Sequence, residues 1–158
     1  MNSEVAKRDA LTPTIVTQRY APEALDNHDD DGTMPENVAA LAEHVIGHRI
    51  VTAEKGAVPS RWYGDQQALI ITLDNGKRVT LANSSDCCAY TDLESFLLHA
   101  DQIHHVITGV GTTDGFTTWH VYADFGDILE LKVGWSCGNP FYYGYGFDIA
   151  VLDAAAAS

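Results

Sequence analysis

Basic residues are scarce: nine lysines and arginines stand against 22 aspartates and glutamates, for a net charge of −13. Beyond Val79 a single base, Lys132, faces a succession of carboxylates from Asp86 to Asp153. Nucleic-acid phosphate is bound by clustered Lys and Arg, so direct nucleic-acid binding is not expected. The acidity reads first as solubility, with DNA mimicry or docking on a basic partner as the functional alternatives. Cysteine is also rare. Cys87, Cys88 and Cys137 are too few and too unevenly spaced for a disulfide framework, and as thiols they suit a reducing cytoplasm. No apolar run approaches the ~20 residues of a membrane helix. Met1 to Arg8 lack the apolar core of a secretory signal. There is no P-loop, no Gly-x-Ser-x-Gly elbow and no His-Glu-x-x-His pair.

What is present suffices for one domain: 158 residues, 46% of them apolar. Residues 1–33 read as a flexible arm that turns acidic at Asp26 to Gly32, because so polar a segment has little apolar surface to offset the entropy of ordering it. Asp29, Asp30 and Asp31 lack the alternating ligands and distal Glu of an EF-hand loop. The periodicity predicts a helix from Met34 to Ile46: Thr33 and Glu36 have capping-box spacing, and Pro35 sits in the first turn. Val38, Leu41, Ala42 and Val45 form its apolar stripe, and Gly47 is placed to end it. That glycine separates His44 from His48, so their i, i+4 spacing is not read as a metal pair.

Arg49 to Glu54 reads as a strand, and Leu69 to Leu81 as a hairpin around Asp74-Asn75-Gly76. A three-residue loop pairs Ile71 with Val79 and Leu69 with Leu81, which puts four apolar side chains on one face; a two-residue loop does not. Thr91 and Glu94 repeat the capping-box spacing. With Leu93, Phe96, Leu97 and Ala100 at helical intervals they predict a second helix. Ile103 to Val110 reads as a strand with His104 and His105 on opposite faces. Phe116 to Asp124 alternates, with Trp119, Val121, Ala123 and Phe125 on one face and Thr118, His120 and Tyr122 on the other. Leu129, Leu131, Val133 and Trp135 share a face opposite Glu130 and Lys132, and Asp148 to Leu152 closes the domain. The expected fold is α+β: a single domain over 34–153, mostly an antiparallel sheet of six to seven strands with two helices, then a tail at 154–158.

Two stretches stand out chemically. Asp86-Cys87-Cys88 precedes the expected second helix, whose N-terminus would favour a thiolate. His99, His104, His105 and His120 are the available bases, but no spacing selects one, and Asp86 opposes a thiolate. Buried small residues are the plainer reading. A zinc site from these cysteines with Cys137 and a His lacks a CxxC-type anchor. The second stretch, Gly138 to Phe147, carries Tyr142, Tyr143 and Tyr145, a composition suited to an interface, a ligand pocket or the covering of a sheet end.

Ser85-Asp86-Cys87-Cys88-Ala89-Tyr90, Trp119 to Asp124 and Gly144 to Ile149 resemble an uncharacterised domain family of small actinobacterial phage and prophage proteins, over roughly His44 to Asp153. The resemblance implies a phage accessory protein in the host cytoplasm, carries no established activity and transfers no catalytic residue. The expectation is a non-enzymatic protein that binds a host or viral protein partner through its acidic face or Tyr142, Tyr143 and Tyr145, with Asp86, Cys87 and Cys88 as further binding residues. No metal or cofactor is assigned. The alternatives are a virion component whose arm orders on a neighbouring subunit, and a small-ligand sponge or Cys-dependent enzyme.

Overall fold

A computed structural model describes residues 25–26, 33–60, 64–85, 89–136 and 146–153. Among these residues there is one α-helix, α1 (Met34–Val45), and there are nine strands: β1 (Ile50–Ser60), β2 (Gly64–Leu73), β3 (Arg78–Ala82), β4 (Ser84–Ser85), β5 (Tyr90–Leu98), β6 (Gly109–Thr113), β7 (Thr118–Ala123), β8 (Gly126–Ser136) and β9 (Asp148–Leu152). All pairings are antiparallel, in two sheets ordered β9-β3-β2-β1 and β4-β5-β8-β7-β6. The expected single sheet is therefore two, because the chain passes at Asn83 from β3 in the first to β4 in the second.

The inner faces of both sheets and the apolar stripe of α1 share one core. Met34, Val38, Leu41 and Val45 of α1 are buried, as the stripe predicts. The helix packs against β6 and β9, the outermost strands of the two sheets, and so closes one side of the molecule. Asn37 fixes it there: its Nδ2 donates to Phe147 O at 2.8 Å and its Oδ1 accepts from Phe147 N at 2.9 Å. Gly47 ends the helix at φ +92°, and its N–H donates to Ile107 O. Thr33 makes no side-chain capping bond; its carbonyl accepts from Asn37 N instead. The β2–β3 hairpin has the three-residue loop, with Ile71 opposite Val79, Leu69 opposite Leu81 and Gly76 at φ +86°.

Three expectations fail, each for a visible reason. The second helix is strand β5, paired with β8 from Tyr90 to Leu98. A bulge at Glu94 shifts the register between Leu93 and Ser95, so Thr91, Leu93, Phe96 and Leu98 face the core. The extra residue turns a period of two into a local spacing of three, which imitates a helix. Ile103 to Thr108 is turn and loop, not strand: His105 N donates to Gln102 O, and Ile107 N donates to His48 O. Phe125 does not continue the apolar face of β7; it sits in the β7–β8 turn, 72% exposed.

The acidic arm has one described contact point. Asp26 N donates to Thr112 O, and the Asp26 carboxylate accepts from Gly115 N at 3.0 Å and Phe116 N at 2.7 Å. The Leu25 side chain lies over Gly111, where a Cβ would come within 2.8 Å of it. Leu25 and Asp26 thus cover the outer edge of β6. The rest of the arm up to residue 32, the acidic run at 27–32 included, lies outside the described residues.

Candidate functional site

The sequence-predicted residues Asp86, Cys87, Cys88, Tyr142, Tyr143 and Tyr145, with Cys137, lie outside the described residues. Their described flanks converge. Tyr90 pairs with both Ser85 and Ser136, Ser84 Oγ donates to Gly146 O at 2.5 Å, and Gly146 N donates to the buried Thr91 hydroxyl at 2.8 Å. The described residues on either side of both segments therefore meet at one corner of the fold.

The histidines separate. His44 is half-buried on α1, and His48 Nδ1 lies 3.2 Å from Asp74 Oδ1. Because 103–108 is not a strand, His104 and His105 do not take opposite faces: their rings lie 4.1 Å apart between centroids, tilted by 38°, and His105 lies 5.1 Å from the Phe125 ring. Burial, then neighbouring His104, pushes the His105 pKa down, against a smaller opposing pull from Asp124. Val106 follows in the same loop, exposed at 36%, and Ile46, at the end of α1, is exposed at 45%. Hydrogen bonds between Gly47, His48 and Ile107 hold the α1 terminus beside that loop. The end of α1, the 103–108 loop and the β7–β8 turn thus lie next to one another, and each carries an exposed apolar side chain, Ile46, Val106 and Phe125.

The outer face of the second sheet carries a polar cluster that sequence reasoning missed. Alternation puts Thr118, His120 and Tyr122 of β7 on that face, and register places His120 directly opposite Glu130 of β8. Asp127 would point to the other face in a regular strand. A bulge at Ile128, between the pairs Val121–Leu129 and Tyr122–Asp127, turns Asp127 outward and sends Ile128 into the core. His120 is held from both sides, with Nδ1 2.9 Å from Asp127 Oδ2 and Nε2 2.9 Å from Thr113 Oγ1. His99 Nε2 lies 2.7 Å from Glu130 Oε2. A ring nitrogen of His120 and one oxygen each of Asp127 and Glu130 lie within 4.8 Å of one another. Burial, then the charge of Asp127, raises the Tyr122 pKa. The sequence signal was the polar side of two alternating strands. It was incomplete without the bulge that recruits Asp127.

A small pocket of about 110 Å³ lined by Lys55, Gln67, Ala68, Asn83 and Leu93 lies between the sheets. Ligand pockets typically hold roughly 300–1,000 Å³, so this one suits a few waters. No helix among the described residues is long and apolar enough to cross a membrane.

Fold and surface together define a two-sheet antiparallel β domain closed by one helix, with a His–carboxylate cluster on an outer strand pair. The chain belongs to the family described as a domain of unknown function, DUF7448, matched over residues 43–149. No curated protein and no solved structure matches it. The matched span begins near the end of α1 and contains every strand but the last residues of β9.

Proposed function

We propose that the chain is a non-catalytic protein-binding domain that docks on a host or viral partner through the end formed by Ile46, Val106 and Phe125. The observation that carries this reading is Phe125, a large aromatic exposed at 72% in a tight turn and flanked by the His104–His105 pair. Exposed aromatics on a rigid turn supply interface area at small entropic cost, and hot spots are built from such anchors. The resemblance to small phage and prophage proteins supports an accessory role in an infected cell, and the net charge of −13 favours a basic partner surface. Tyr142, Tyr143 and Tyr145 keep a place in the proposal as a second contact on grounds of composition.

The test is co-purification of the tagged full chain from its native cells, compared with the double variant Phe125→Ser, Val106→Asn. Both positions are exposed, so folding should be kept and checked by thermal melting. The proposal expects partners recovered with the unaltered chain to be lost with the variant. Identical recovery would remove this end from any binding role.

A further inference from the structure

We propose that His120, Asp127 and Glu130 form a binding site for one divalent transition-metal ion of the Zn²⁺ or Mn²⁺ class, with His99 and Thr113 orienting the ligands. The donor atoms lie within 4.8 Å of one another. Metal–ligand bonds of about 2.0–2.2 Å set donors roughly 3–4.4 Å apart, so side-chain rotations of a few tenths of an ångström complete the shell. The set is one imidazole nitrogen and two carboxylate oxygens. Imidazole favours first-row transition ions over Mg²⁺ and Ca²⁺, which take oxygen ligands almost throughout.

Orientation of the ligands separates this cluster from a chance gathering of acids. An imidazole that binds through one nitrogen is ordinarily held through the other, and ligating carboxylates have their own hydrogen-bond partners. The first condition holds for His120 and the second for Glu130. Nδ1 of His120 faces Asp127, while Thr113 Oγ1 lies 2.9 Å from Nε2 and can accept its proton. His99 Nε2 is 2.7 Å from Glu130 Oε2 and can donate to it. The side chains of His120 and Asp127 are only 10% and 13% exposed, whereas Glu130 at 28% leaves a way in. Leu25, over Gly111, adds apolar cover beside His120, whose strand partner is Gly111. Three protein ligands leave positions open for water or for an oxygen donor from a partner.

The test uses the full chain and metal alone. Co²⁺, as a visible stand-in for Zn²⁺, should bind at one equivalent with d–d absorption of an N/O site. Asp127→Asn and Glu130→Gln should each weaken binding at least tenfold, and Thr113→Val by roughly tenfold without abolishing it. Should these variants fold poorly, Mn²⁺ added to the isotope-labelled unaltered chain gives an independent reading. Paramagnetic broadening should centre on His120, Tyr122 and Glu130. Broadening centred on the acidic residues 26–31, thiolate-to-Co²⁺ absorption, failure to bind one equivalent, or binding indifferent to Asp127→Asn and Glu130→Gln would each overturn the proposal.

Discussion

Phe116 holds φ +63°, a conformation that costs a bulky side chain about 1–3 kcal/mol and persists only where neighbours enforce it. The enforcing groups are identifiable. Asp26 accepts from its N–H, its carbonyl accepts from Trp119 Nε1 at 3.0 Å, and Trp135 Nε1 donates to Gly115 O at 2.8 Å. Asp26→Ala should therefore lower stability by about 1–2 kcal/mol, since it removes two charge-assisted bonds from a partly exposed turn. Denaturant midpoints would show it. Asp92 gives a pH-dependent case at the same scale. Burial, then the charge of Glu94, raises its pKa above 3.8, so its ionisation opposes folding. That penalty is absent below pH 3.8 and grows as pH rises through the folded pKa. Asp92→Asn should raise the melting temperature at pH 7 and leave it unchanged at pH 3. His105 runs the other way: its lowered pKa means stability held above pH 6.5 and lost as pH falls through the folded value. An NMR titration should place its midpoint below 6.5, and His105→Gln should flatten that acid limb.

At the scale of elements, legibility followed regularity. The stripe of α1, the loop of the β2–β3 hairpin and the alternation of β7 were readable because each keeps one period from end to end. Two bulges were not readable. Glu94 hides β5 as a helix, and Ile128 conceals that Asp127 shares a face with His120 and Glu130. An inserted residue leaves no compositional mark, and its effect appears only when the partner strand is known. Deletion of Glu94 tests this directly. Without it, Leu93, Ser95, Phe96, Leu97 and Leu98 alternate without interruption, and Leu93, Phe96 and Leu98 keep their places in the core opposite Val133, Leu131 and Leu129. The variant should therefore melt close to the parent chain; a midpoint far below it would show that Glu94 is not a simple one-residue insertion. Gly109→Ala is a smaller probe of β6: its Cβ would fall 2.4 Å from the Tyr122 ring, and overpacking of this kind costs about 1–3 kcal/mol.

The whole molecule is two sheets sharing one core, with α1 across the side bounded by β9 and β6. Composition and hairpin spacing indicated antiparallel β structure, but a division into two sheets depends on which strands meet, and that is a long-range property. Trp119 lies fully buried in the shared core, its ring 5.3 Å from Phe147 in an edge-to-face contact. Trp119→Ala should cost about 3–5 kcal/mol and loosen both sheets together, seen as one cooperative transition at lower denaturant. Docking at the Phe125 end also belongs to this scale, because Ile46, Val106 and Phe125 come from three separate segments that only the assembled fold brings together. The most direct test is a photo-crosslinking amino acid placed at position 125 in native cells, with a control at exposed Asp65 in β2, paired with Pro59 where β1 and β2 connect. The account predicts one discrete protein adduct from position 125 and none from position 65. Equal labelling from both positions, or none from 125, would contradict it.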